Sequence, residues 1–291
     1  MEIFNVIKKN NSRGKLSIGT WCLVCALLVL SPLQLVCPAS GFAAEELGLD
    51  AGKVRIHWGE GWDGIFDWQV RVSEVDSADA WHSLVTRDKN TGLISNHLRL
   101  TGDVKGPGTW TSENGTCVST QDLYLDGRLL VQMRLCDSGP SYDLRLEIAL
   151  KNVSGQMLPH SDIAVALGPG LGEYPIEGLG IAESLYSYVQ PVYSIDGEIE
   201  SENMEEGDDP VQIHLDDEKL QWAGLESRYF ALLLAPVDAN AVRAIECQLG
   251  RSPGNHIPAR YLPEIMLYLD IAELKPGEVC KSGFDVFSGP K

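Results

Sequence analysis

Six histidines, His57, His82, His97, His160, His214 and His256, are the side chains best suited to move protons near neutral pH, and their spacing decides whether they act together. None stands at His-x-x-x-His or His-Glu-x-x-His distance, and no Gly-x-Ser-x-Gly turn is present to raise a serine nucleophile. An acid/base pair would have to be assembled from distant residues, such as His160 with Glu226; otherwise these are ordinary structural or surface groups. Convergence of His160, Glu173, Glu177 and Glu226 with tryptophans in a deep cleft would mark an enzyme. Seven tryptophans, among them Trp58, Trp62, Trp68, Trp81 and Trp110, suit either stacking on sugar rings in a groove or the commoner use, core packing.

Two further stretches carry unusual composition. "ALGPGLGEYPIEGLG", residues 166 to 180, is glycine-rich, but a phosphate loop needs a Lys-Ser/Thr ending or an outgoing helix. Here Tyr174-Pro175 follows, and no Lys or Arg occurs between Lys151 and Lys219, so the stretch reads as an irregular crossing between sheet edges. Between Asp196 and Glu218 there are eleven acids and no Lys or Arg. That run reads as a solvated, mobile loop; the sharper alternative is a weak Ca²⁺ or basic-partner site, without EF-hand spacing to support it.

The first 44 residues differ from the rest. Lys8, Lys9, Arg13 and Lys15 lead an apolar run from Ile18 to Val36, and Gly41-Phe42-Ala43 supplies the small residues that a signal peptidase reads. Residues 1–44 are therefore expected to be a secretory signal and residues 45–291 a periplasmic domain; retention through residues 17–36 as an inner-membrane anchor is the alternative. Loss of four bases and one acid takes the net charge from −18 to −21, which argues against nucleic acid and anionic lipid as partners. Cys37 follows Val36 rather than a small residue, so lipid attachment is not expected.

Four cysteines remain in the mature chain, Cys117, Cys136, Cys247 and Cys280, and an even set in an oxidising compartment predicts disulfides. Three pairings are possible. A hairpin turn at Asp126-Gly127 would place Cys117 opposite Cys136, and elimination then pairs Cys247 with Cys280. Counting out from a two-residue turn puts Cys117 and Cys136 at a hydrogen-bonded position, with Cα atoms about 5.5 Å apart. A metal site would need short CxxC or His-rich spacing, which is absent; no cofactor is implied.

The elements that would position any site are strands. "LLVQMRL" places Leu129, Val131, Met133 and Leu135 on one face, and "YDLRLEIAL" does the same with Leu144, Leu146, Ile148 and Leu150. Similar runs recur at "KVRIHW", "FDWQVRV", "VQIHL", "YFALLLAP", "AVRAIECQL", "EIMLYLDIAEL" and "GFDVFSG", split by Gly, Pro, Asn and Asp. No stretch of the mature chain carries a helical apolar stripe. The prediction is an all-β protein, a large antiparallel β-sandwich with few or no long helices outside the signal segment.

"LQWAGLESRYFALLLAP", residues 220 to 236, resembles a strand of the periplasmic domain of the YidC membrane protein insertases, in Trp222, Gly224, Tyr229 and Phe230. "DGRLLVQMRLCDSGPSYDLRLEIALKNVSG", "LGPGLG" and "ELKPGEVCKSGFDVFSGPK", with Gly289, Pro290 and Lys291, resemble further pieces of that domain in the same order, over roughly residues 120 to 291. The resemblance implies a β-supersandwich, an architecture shared with galactose mutarotase-like carbohydrate enzymes. In that family the Gly-Pro-Lys leads straight into the transmembrane insertase core, so this chain is expected to be the periplasmic domain alone. The implied function is a non-catalytic accessory module in membrane protein insertion, with Sec translocon subunits, insertase subunits or nascent membrane proteins as partners and no small-molecule ligand assigned. A carbohydrate-binding or mutarotase-like enzyme on the same fold is the alternative.

Overall fold

A computed structural model describes residues 47–58, 65–72, 81–85, 98–101, 111–113, 116–139, 141–172, 189–250 and 262–291. Every regular element among them is a strand, and no helix of the described residues is long and apolar enough to cross a membrane. Pairing throughout is antiparallel, in three sheets. The first is β1 (Leu47–Asp50), β2 (Val54–Trp58), β3 (Ile65–Arg71) and β4 (Trp81–Ser83), in chain order.

The second sheet contains β5 (Leu98–Leu100), β10 (Ala164–Leu167), β13 (Val211–His214), β16 (Val242–Leu249) and β17 (Pro263–Leu269), in the order β13-β16-β17-β10-β5. The third holds nine strands: β6 (Thr111–Glu113), β7 (Cys117–Tyr124), β8 (Leu129–Asp137), β9 (Asp143–Asn152), β11 (Val189–Ile195), β12 (Glu198–Ser201), β14 (Leu220–Ser227), β15 (Phe230–Pro236) and β18 (Val279–Pro290). Their order is β12-β11-β14-β15-β18-β9-β8-β7-β6, so the chain crosses repeatedly between sheets.

Alternation explains the layers. On β8 and β9 the leucines and their companions are sealed while Arg134, Arg145 and Glu147 point away from the core. β17 lies against β11 and β14, so Ile265, Leu267 and Leu269 bury on the nine-stranded sheet. The same core cluster takes in Val54, Ile56, Trp68 and Val70 of the first sheet. Trp68, fully buried, donates from Nε1 to Ser288 Oγ at 3.2 Å, which ties β3 to β18.

The acidic run is more ordered than expected. Asp196-Gly197, both at positive φ, forms a two-residue turn between β11 and β12, and β13 occupies residues near the run's far end. The mobile-loop reading is therefore corrected over Glu198–Ser201, while Val211–His214 is the strand expected at "VQIHL". β12 was missed because all four of its residues are exposed, so no buried face marks a period of two.

The cysteine pairing is corrected in part. Cys117 and Cys136 are directly opposite and joined. Their Cα atoms are 4.1 Å apart, closer than the hydrogen-bonded position expected, and Asp137 N donates to Thr116 O in the adjacent pair. The register is the one expected, and only the hydrogen-bonding alternation differs, because the loop between Tyr124 and Leu129 has four residues, with Leu125, Asp126 and Gly127 all at positive φ. Cys247 and Cys280, by contrast, are free thiols, Cys247 in the core of the five-stranded sheet and Cys280 on β18. Elimination failed because an even count does not oblige every cysteine to pair.

Candidate functional site

The histidines do not assemble a site among the described residues. His160 is exposed in the segment between β9 and β10, His214 is exposed on β13, and His57 is half-buried on β2. His82 on β4 stacks on Phe230 of β15, ring centroids 4.3 Å apart. Glu226 on β14 accepts from Gln190 Nε2 at 2.8 Å and from Lys291 Nζ at 2.9 Å; it is committed to β11 and to the end of β18, and no contact joins it to His160. His97, Glu173, Glu177, His256, Trp62 and Trp110, and the side chain of Trp58, lie outside the described residues. Of the remaining tryptophans, Trp68 is core and Trp81 lies beneath the Arg55 guanidinium at 3.9 Å.

The group that sequence reasoning passed over is Glu264. It is the second residue of β17, 2 % exposed, and the only carboxylate among the described residues buried to this degree. Arg99 on β5 reaches across β10 to pair with its Oε1, and Gln248 Nε2 on β16 donates to its Oε2 at 3.0 Å. The same guanidinium donates to Gly168 O at 3.2 Å, where the glycine-rich crossing leaves β10 through the cis Gly168-Pro169 bond. A buried carboxylate is stable only when paired and hydrogen-bonded, and both conditions are met here. Arg99, about a third exposed, is the solvent-facing half of the pair.

Register extends this cluster along one face of the sheet. Glu264, Met266 and Tyr268 share the side of β17 that faces away from Ile265 and Leu267. Ala164 and Ala166 of β10 pack against Met266 and Tyr268 as a small second cluster, separate from the main core. Glu246 on β16 stands opposite Met266, hence diagonal to Glu264, and accepts from Tyr268 OH at 3.1 Å. Burial and the neighbouring Glu246 carboxylate push the Tyr268 phenol up to about 12, so it remains a neutral donor at physiological pH. Arg243, paired with Asp162, lies 5.4 Å from the Tyr268 ring and closes the far end. Three carboxylates, two guanidiniums, an amide and a phenol thus gather on the side of the sheet where Ala164 and Ala166 are sealed.

The YidC motif residues have local structural jobs. A Cβ on Gly224 would collide with Leu232 O on β15, and one on Gly289 would sit 2.6 Å from the Tyr142 ring. Phe230 packs on His82, Trp222 is half-buried on β14, and Tyr229 is 48 % exposed. Pro290 pairs with Phe230 as β18 ends, and Lys291 N donates to Tyr229 O. The motif is a record of how β14, β15 and β18 approach one another.

Comparison with solved structures places the architecture. A galactose mutarotase-like protein from Lactobacillus casei superposes with a TM-score of 0.54 at 8 % identity, covering 84 % of this chain and 99 % of its own. The fold is galactose mutarotase-like. A galactose mutarotase related enzyme from Lactobacillus acidophilus gives 0.51 at 11 % identity, over 84 % and 97 %. A protein from Escherichia coli K12 described as a candidate aldose 1-epimerase gives 0.50 at 10 %, over 84 % and 99 %. No protein-family model and no curated protein matches the sequence. These neighbours overturn the resemblance to the YidC periplasmic domain, and with it the accessory role in membrane protein insertion and transport and the non-catalytic reading. The supersandwich it implied stands.

Proposed function

We propose that this protein acts on carbohydrate, binding an aldose on the outer face of the five-stranded sheet between Arg99–Glu264 and Glu246–Tyr268. The observation that carries the reading is Glu264, a carboxylate buried by the fold yet held in place by Arg99 and Gln248. A sugar offers hydroxyls that each donate and accept, and this face presents acceptors in Glu264 and Glu246 and donors in Arg99 and Gln248. Tyr268 adds the aromatic surface on which a pyranose ring packs. The mutarotase-like fold supports the class of ligand by analogy only.

The chemistry this arrangement suits is interconversion of anomers. Ring opening transfers the C1 hydroxyl proton to a base as the bond from C1 to the ring oxygen breaks, and the ring oxygen takes a proton from a donor; reclosure reverses both transfers. Glu264 is the proton acceptor in this scheme, and Arg99 stabilises the developing charge on the anomeric oxygen. Water supplies the proton to the ring oxygen.

Exchange NMR of D-galactose and D-glucose anomers tests it. The intact protein is expected to accelerate exchange, and Glu264→Gln to lower the rate at least a hundredfold while sugar still binds. Exchange at the spontaneous rate, with no sugar bound, would remove the proposal.

A further inference from the structure

A cleft of about 410 Å³ opens on the face of the nine-stranded sheet opposite the core, within the size range of small-ligand sites. Its walls are Arg134 on β8, Arg145 and Glu147 on β9, Lys281 on β18, and the Val237-Asp238 corner that follows β15. The corner is fixed, because Val237 N donates to Gly283 O on β18 at 2.9 Å. The floor is empty of side chains where Gly283 stands: a Cβ there would lie 3.3 Å from an Arg145 guanidinium nitrogen and 3.6 Å from Val237 Cγ2.

The charge in this cleft runs against the chain's. The protein carries −18 in total, yet the lining holds three cations, Arg134, Arg145 and Lys281, against Glu147 and Asp238. Two of the cations are held in place, Arg134 by Glu147 at 3.3 Å and Arg145 by Asp285 at 2.6 Å. Lys281 is exposed and has no carboxylate partner among the described residues. Gln132, on the outward face of β8, adds a neutral amide that both donates and accepts. Alternating donors and acceptors match a set of hydroxyls, and the uncommitted ammonium matches one negative charge. Val237, 54 % exposed, offers an apolar wall to the C–H face of a ring.

We propose that this cleft is a second binding site, for a saccharide that bears a carboxylate, with the carboxylate at Lys281 and the hydroxyls spanning Arg145, Glu147 and Gln132. It stands apart from the Glu264 face, since it lies on another sheet, and does not depend on that reading. Titrating the full chain by amide NMR with D-galacturonate, D-galactose and inorganic phosphate tests charge and hydroxyls separately. Galacturonate is expected to shift the amides of β9 and β18, with galactose and phosphate each binding at least tenfold more weakly. Lys281→Glu, at an exposed position, is expected to weaken galacturonate about tenfold or more, Gly283→Leu to abolish the shifts by filling the floor, and Glu264→Gln to leave them unchanged. Phosphate matching galacturonate, shifts confined to the five-stranded sheet, no shift at all, or binding indifferent to both cleft variants would each overturn the proposal.

Discussion

Burial of Glu264 is the decisive feature at the scale of single residues. Alternation along "EIMLYLDIAEL" puts Glu264, Met266 and Tyr268 on one side and Ile265 and Leu267 on the other, so the strand was legible. What burial requires was not: Arg99 lies 165 residues away, and only the order β16-β17-β10-β5 brings it within reach. Breaking a buried pair by truncating one partner costs about 3–5 kcal/mol, so Arg99→Ala should lower the thermal midpoint sharply, whereas Lys291→Ala, which breaks the exposed pair with Glu226, should change stability by less than about 1 kcal/mol. Chemical denaturation of both variants checks the contrast. Cys247 makes a second prediction. Burial first, then the Glu202 and Glu246 carboxylates, push its thiol from 9.0 up to about 12. The folded state therefore holds a proton that the unfolded chain releases, and this contribution is complete below pH 9. It is lost at about 1.4 kcal/mol per pH unit between 9 and 12. Cys247→Ala should flatten the alkaline arm of a stability profile over that window; an unchanged arm would assign the decline to other groups, such as Tyr193, whose phenol is raised by burial and by Glu202 and Glu200.

Strands whose apolar face is continuous were readable from the sequence at the scale of elements, and strands whose exposed face is all charge were not. β8 and β9 bury every second residue, and that alternation is visible without partners. β12 alternates Glu198 and Glu200 with Ile199 and Ser201, but it is an edge strand with all four residues exposed, so no buried face marked it. The β7–β8 hairpin and its register were legible from Asp126-Gly127, and only the hydrogen-bonding alternation was missed, because the loop is longer than two residues. The disulfide across it closes a sequence separation of 19, for which chain entropy predicts about 3 kcal/mol of stabilisation. Cys117→Ser with Cys136→Ser should therefore lower the unfolding free energy from chemical denaturation by that amount, and reduction of the native chain should do the same. β14 and β15 approach too closely for a side chain at Gly224, so Gly224→Ala should cost upwards of about 3 kcal/mol by separating the two strands, measured by the same denaturation.

Period-two patterning implied a large antiparallel sandwich for the whole molecule, and the three sheets and the mutarotase-like neighbours agree with that class. Function was not legible on the same basis. The residues that resembled the YidC periplasmic domain, Trp222, Gly224, Tyr229, Phe230 and the terminal Gly-Pro-Lys, lie on or at the ends of three adjacent strands, where close strand approach and ring packing account for the two glycines and for Phe230. A motif made of packing requirements reports architecture, and architecture is shared by proteins with different sites. The proposed site is built from five positions on three strands, Arg99, Glu246, Gln248, Glu264 and Tyr268, none within a recognisable local signature. The most direct test of the central claim is a crystal structure of the full chain grown with saturating D-galactose. The account predicts a sugar with a hydroxyl within hydrogen-bond reach of the Glu264 carboxylate and its ring beside Tyr268. A sugar bound only elsewhere, with the Arg99–Glu264–Gln248 cluster closed and untouched, would contradict it.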